Sequence, residues 1–198
     1  MDPDKTLYTC SPQSRTPTRS TASKTTSSAA MLISAIGFYK YVYFISLGYG
    51  FSIAGLGLLI YMAGNGLFSL LVTLFFPDFA NINDAAIMEM VQSNYGLMVV
   101  GTVLLVPIAE ECFYRGLIFR NLYGKHPVMA YILSMVIFSL AHVAGYVLLE
   151  DFGTLALCFV QYIPAGLILA GAYDFSGSIF APILIHTSIN LIGILSMR

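Results

Sequence analysis

Polar and apolar positions divide this chain sharply. Up to residue 30 it is polar: thirteen of the thirty residues are Ser or Thr, and Pro3, Pro12 and Pro17 interrupt any helix. Such a stretch buries too little apolar surface to offset its ordering entropy, so disorder is expected over residues 1–30. From Met31 to Phe76 nearly every residue is apolar or small, and Lys40 is the one charge. A helix needs about 20 residues to cross a hydrocarbon core. The region therefore predicts two spans, with a break near Gly48, Tyr49 and Gly50.

Residues 77–95 form a polar connection holding Pro77, Asp78, Asn81, Asn83, Asp84, Glu89 and Asn94. Within it Ile87, Met88, Met90 and Val91 predict a short helix at the membrane surface. Four further apolar stretches come next, at about 96–119, 128–149, 153–173 and 177–197, separated by short polar breaks. Strand-type alternation is absent, which argues against a transmembrane barrel. The fold class expected is all-α: a polytopic transmembrane helix bundle of about six spans with a disordered polar N-terminal tail. Its parts are the tail 1–30, two spans and a connection over 31–95, and a bundle over 96–198. Pro107, Pro164 and Pro182 fall inside spans, where they predict kinks.

Composition agrees and narrows the function. Charged residues are 10% of the chain, against about 25% in soluble domains, which places it in a bilayer. The net charge of -1 leaves no basic field for nucleic acid. Cys10, Cys112 and Cys158 are far apart with no CxxC, which argues against a disulfide framework or a thiolate zinc site. The basic residues Arg120 and Lys125 close to a span favour a cytoplasmic 120–127 loop.

Charge is scarce enough to locate the chemistry. Of the Lys, Arg, Asp and Glu residues, only Lys40, Glu110, Glu111 and Arg115 lie well inside the apolar stretches. His142, His186 and Asn190 join them. Ionisable groups at this depth cost at least about 2.5–3.5 kcal/mol each when charged and are functional candidates by default. Glu111 and Arg115, four apart, share a helix face and suit an ion pair. Glu110 is turned about 100° away, free to face a cavity. Phe138, one turn before His142, can wall that imidazole, and His186 and Asn190 share a face.

A carboxylate beside an imidazole can position and deprotonate water. A second imidazole and an amide can donate to a developing oxyanion. The set Glu110, His142 and His186 equally suits zinc or another divalent metal with an open position for water. Either arrangement fits hydrolysis of an amide bond. Singly, each residue also has a plain structural role: the Glu–Arg pair as a brace, each His as a packed donor, Asn190 as helix–helix glue. A thiol reading, with Cys112 as nucleophile, is weaker, since its helix position is turned away from Glu110.

At these residues the chain resembles the CAAX protease and bacteriocin-processing (CPBP, or Abi) family of intramembrane proteases, which includes type II CAAX prenyl endopeptidases. Three motifs carry the resemblance. Glu110-Glu111-Cys112-Phe113-Tyr114-Arg115 matches Glu-Glu-x-x-x-Arg, Phe138-Ser139-Leu140-Ala141-His142 matches Phe-x-x-x-His, and His186-Thr187-Ser188-Ile189-Asn190 matches His-x-x-x-Asn. The resemblance covers about residues 96–198. It implies that Glu110 and His142 activate water, that His186 and Asn190 complete the site and stabilise the oxyanion, and that Glu111 and Arg115 orient the first motif, with Phe138 as support.

The function expected is thus an intramembrane endopeptidase acting on a peptide or protein substrate at the bilayer. The resemblance leaves both a metal-dependent and a glutamate-dependent, metal-free mechanism open, and HExxH spacing is absent. The expected location is the cytoplasmic membrane of a prokaryote, as a multi-pass protein. The rival is a non-catalytic membrane binding protein such as a bacteriocin self-immunity factor. A transporter is disfavoured by the small number of spans and the missing inverted repeat.

Overall fold

A computed structural model describes the backbone of residues 20–197, and the side chains of residues 33–37 and 46–197. The expectation of disorder over residues 1–19 lies outside the described residues. The longer helices among the described residues are α1 (Ser20–Phe75), α2 (Ile82–Ser93), α3 (Tyr95–Tyr123), α4 (Pro127–Val143), α5 (Phe152–Ser176) and α6 (Phe180–Ser196). Contacts divide the chain after Phe44. Residues 20–44 are a stretch of helix, and residues 45–197 carry the bundle and the site.

The all-α bundle is as the apolar pattern predicts, and one expectation at its N-terminal end changes. Helix runs through Gly48–Gly50 without the break that would make two spans. The physical reason is that no proline occurs between Pro17 and Pro77. Glycine lowers helix propensity by only about 1 kcal/mol, whereas proline forbids the bond outright. The helix ends at Phe75, just before Phe76, whose following Pro77 disfavours helical backbone.

Among the described residues four segments are long and apolar enough to cross a membrane: Ser46–Phe75, Tyr95–Tyr123, Pro127–Tyr146 and Phe152–Ser176. Phe180–Ser196 is a shorter apolar helix. Large apolar side chains such as Leu59, Leu71, Phe113, Leu117 and Met129 stay exposed on the outer surface, as lipid-facing groups should.

Proline acts differently in the three places where kinks are expected. Ahead of Pro107, residues Val99–Leu105 are wound as a π-helix, and the Val106 N–H reaches back to the Gly101 carbonyl. The wider turn accommodates a residue that lacks an N–H and whose ring would press on the preceding turn. A second π segment spans Cys112–Phe119. Pro182 sits in the first turn of α6 and Pro164 inside α5.

The core lies between residues 46–75 of α1 and α3, α4, α5 and α6, with Ala54, Tyr114, Phe138, Ala165, Leu169 and Ile185 buried in it. Small residues let the backbones close. A Cβ on Gly166 of α5 would meet the Met135 Cα of α4 at 3.0 Å, so a larger residue would have to push the two helices apart by a few tenths of an ångström. α5 ends on Gly177, whose φ of 63° is left-handed. That conformation suits glycine and turns the chain sharply into α6.

Asp151 starts α5. Its Oδ1 accepts from the Gly153 and Thr154 N–H groups at 2.8 and 3.2 Å, and its Oδ2 from the Thr154 hydroxyl at 2.7 Å. The hydroxyl bond first, then the backbone bonds, hold its carboxyl below the usual carboxylate range. A depressed folded value stabilises fully above the unfolded value of about 3.9 and is lost as pH falls through the folded one. The Asp151→Asn variant keeps the cap but not the charge. Its thermal unfolding should show a flatter loss of stability on acidification than the wild type's.

Candidate active site

The centre of the site is assembled from four helices, and α1 and α2 add to the cavity wall. α3 carries Glu110, Glu111 and Arg115, α4 carries Phe138 and His142, α5 carries Tyr162 and Gly166, and α6 carries His186 and Asn190. At its centre Glu111 and Arg115 are both fully buried, and Arg115 Nη1 donates to Glu111 Oε1 at 3.0 Å. The one-turn spacing makes the pair. The tertiary structure completes it: Arg115 Nη2 donates to the Gly166 carbonyl at 2.9 Å. The guanidinium carbon also lies 5.0 Å from the centre of the Phe138 ring, a favourable cation–π distance in a dry setting.

Glu111 is the hub. Its Oε1 also accepts from His186 Nδ1 at 2.8 Å. A carboxylate only accepts, so Nδ1 carries the hydrogen, and in the neutral ring Nε2 presents a lone pair. His142 is set the same way by a different partner: its Nδ1 donates to the Phe138 carbonyl at 2.8 Å. Both imidazoles therefore offer Nε2 as an acceptor.

Glu110 stands apart. Its Oε2 is 3.9 Å from His186 Nε2, beyond hydrogen-bond range, and that oxygen has no partner. The neighbouring carboxylates are thus divided, one tied to Arg115 and His186 and the other left to the cavity. The cavity has a volume of about 650 Å³, and Glu110, His142, His186 and Asn190 all line it. Glu111, Arg115 and Phe138 stand behind its wall. Asn190 Nδ2 donates one hydrogen to the Thr102 carbonyl in the first π segment at 2.8 Å, which leaves its second N–H for another acceptor.

The cavity wall also holds residues that the sequence pattern does not single out. Asn83, Asp84, Gln161 and Tyr162 line it, and the Tyr162 ring stacks on His142 with centroids 4.3 Å apart. Burial raises the Asp84 carboxyl above its ordinary range. The density of Asn and Asp over residues 81–84 was the available signal. Gln161 and Tyr162 gave none, because one amide and one phenol in an apolar stretch look like ordinary span residues. Cys112 is exposed and Cys158 is buried, and neither lines the cavity.

The donor chemistry for a divalent metal is present in the free Nε2 atoms of His142 and His186 and the orphan Oε2 of Glu110. The geometry does not gather them: among the described residues no three His, Cys, Asp or Glu side chains form a group that could hold a metal ion. The arrangement as it stands does not fit a three-ligand zinc site, whose donors all lie about 2.0–2.2 Å from the ion.

A family model described as type II CAAX prenyl endopeptidase Rce1-like matches residues 92–192, about half of the chain. That interval contains Glu110, Glu111, Arg115, Phe138, His142, His186 and Asn190. No curated protein and no solved structure matches the chain.

Proposed function

Since the chain belongs to the type II CAAX prenyl endopeptidase Rce1-like family, and so is a membrane protease, we propose that it hydrolyses a peptide bond with water held between Glu110 and His142. The observation that carries this reading is the divided carboxylate pair. Glu111 is committed to Arg115 and His186, while Glu110 lines the cavity with an unpartnered oxygen. Of the two carboxylates, Glu110 is the one that water can reach: its side chain is 25% exposed, whereas Glu111 is fully buried.

In the proposed reaction one O–H of the water points at Glu110 and the other at His142 Nε2. Glu110 takes a proton as the water oxygen adds to the scissile carbonyl carbon. The carbonyl oxygen becomes an oxyanion, and the free N–H of Asn190 donates to it. His186 faces the same carboxyl, its Nε2 3.9 Å from Glu110 Oε2. The C–N bond then breaks, and the proton on Glu110 passes to the leaving amine. Hydroxyl ends on the new carboxyl group and hydrogen on the amine, so Glu110 is restored. Glu111 and Arg115 take no proton in this scheme; they hold the His186 ring and the α3 backbone.

The family's printed name makes a prenylated CAAX peptide the first probe. The test is cleavage of a fluorogenic farnesylated CAAX peptide by the purified chain in liposomes, with an unprenylated peptide alongside. Turnover should continue in 1,10-phenanthroline, and the active protein should carry no stoichiometric zinc. Loss of turnover to the chelator, restored by added zinc, would overturn the metal-free step and give Glu110, His142 and His186 a ligand role.

A further inference from the structure

We propose that Tyr162 is a positioning residue that fixes the direction of His142 Nε2, and that the start of α2 holds Tyr162 in place for this purpose. The proposal rests on the reading that His142 orients the attacking water.

The need for such a residue comes from how His142 is held. Its ring makes one hydrogen bond, from Nδ1 to the Phe138 carbonyl one turn back on its own helix. That bond selects the tautomer. It does not fix the plane of the ring, which can swing about the Nδ1···O line and carry Nε2 through an arc. A flat neighbour stops the swing. The Tyr162 ring lies 4.3 Å from the imidazole centroid and within 28° of parallel. Phe138, at 4.5 Å and 46°, is tilted and restrains the plane less.

A stacked ring orients another only if it is itself fixed. The Tyr162 hydroxyl accepts from Asn83 Nδ2 at 3.0 Å. Asn81, the residue before α2, adds a longer contact from its Nδ2 to the same hydroxyl at 3.4 Å and donates to Gln161 Oε1 at 2.8 Å. The Oδ1 of Asn81 caps α2, accepting from the N–H groups of Asn83 and Asp84 at 2.9 and 3.1 Å. The helix start is therefore rigid, and it grips two consecutive residues of α5. The connected order is the α2 cap, Asn83, the Tyr162 hydroxyl, the Tyr162 ring, the His142 ring and then the cavity. Supports of this kind around a reacting imidazole cost activity when loosened, and a displacement of 1 Å is worth about a hundredfold in rate.

The experiment has two arms on the full chain in lipid nanodiscs. The chain has three histidines, so ¹⁵N-histidine spectra are readily assigned. In the wild type His142 should show the Nδ1–H tautomer, and its carbon-bound ring protons should be shifted upfield by the Tyr162 face. Tyr162→Leu should abolish that ring-current shift. In cleavage of the farnesylated CAAX peptide it should lower kcat about tenfold to a hundredfold with KM little changed. Tyr162→Phe keeps the ring and loses the hydroxyl tie; its shift and its kcat should both fall between those of the wild type and of the leucine variant. Asn83→Ala, which leaves the ring in place and removes its 3.0 Å tie, should match Tyr162→Phe; a wild-type shift and rate in both would overturn the role given to α2, even if the leucine variant does not fold.

Unchanged His142 resonances in Tyr162→Leu would overturn the proposal. So would a raised KM at constant kcat, which would make Tyr162 a substrate contact instead. If the wild type cleaves neither peptide, the protease assay has failed for its own reason, and the spectra still decide whether Tyr162 orients His142.

Discussion

Glu110→Gln should lower peptide cleavage by about a thousandfold or more while leaving the protein as abundant in the membrane as the wild type. The substitution keeps shape and volume and removes the base. General acid–base assistance is worth about a hundredfold to ten-thousandfold, and Glu110 serves twice in the proposed reaction, first taking the water's proton and then delivering it to the amine. Folding should tolerate the change. Glu110 makes no hydrogen bond to the protein through Oε2, its side chain is 25% exposed, and it faces the cavity. The checks are initial rates on the farnesylated peptide and quantitative membrane immunoblots. Turnover within threefold of wild type would refute the role of Glu110 and leave a binding protein as the better reading.

Arg115→Met should have the opposite profile: the folded protein itself disappears. Arg115 is fully buried, with Glu111 at 3.0 Å and the Gly166 carbonyl at 2.9 Å as partners. Removing one partner of a buried ion pair costs about 3–5 kcal/mol, because the remaining charge is left uncompensated. That is a large part of the about 5–15 kcal/mol that holds a typical domain folded. Membrane abundance and the thermal midpoint in detergent should both drop sharply. Adding Glu111→Gln to Arg115→Met removes the stranded charge, so the double variant should be more stable than Arg115→Met alone. Such non-additivity is expected of residues in one buried network. If the two substitutions simply add, the pair is not a brace.

The contrast between these variants shows how much of the site is legible in sequence. Glu111 and Arg115 meet because they are four apart, and a pair at that spacing is readable before any folding is known. Glu110 and Glu111 are adjacent, so a helix must turn them to different surroundings. The identity of those surroundings is not in the spacing. His186 reaches Glu111 across 75 positions of sequence, and no local rule pairs them. The apolar pattern likewise gave the helices but misjudged one boundary. Gly48 and Gly50 look like punctuation, yet helix continues through them, since glycine weakens a helix without removing a hydrogen bond.

The sequence by itself determined the all-α membrane class, the polar residues that a bilayer should have excluded, and the motifs that carry the family. It did so because burying charge in hydrocarbon is costly enough that each surviving charge is informative. Only the tertiary structure decided which groups face the cavity and which stand behind it. It alone placed Tyr162 against His142, gave the Arg115 guanidinium its carbonyl at Gly166, and left Glu110 Oε2 without a partner. The reason is physical. Spacing fixes angles around one helix axis, whereas the environment of a side chain depends on how closely other helices approach. Here that approach is set by small residues such as Gly166, whose missing side chain carries no chemical signal of its own.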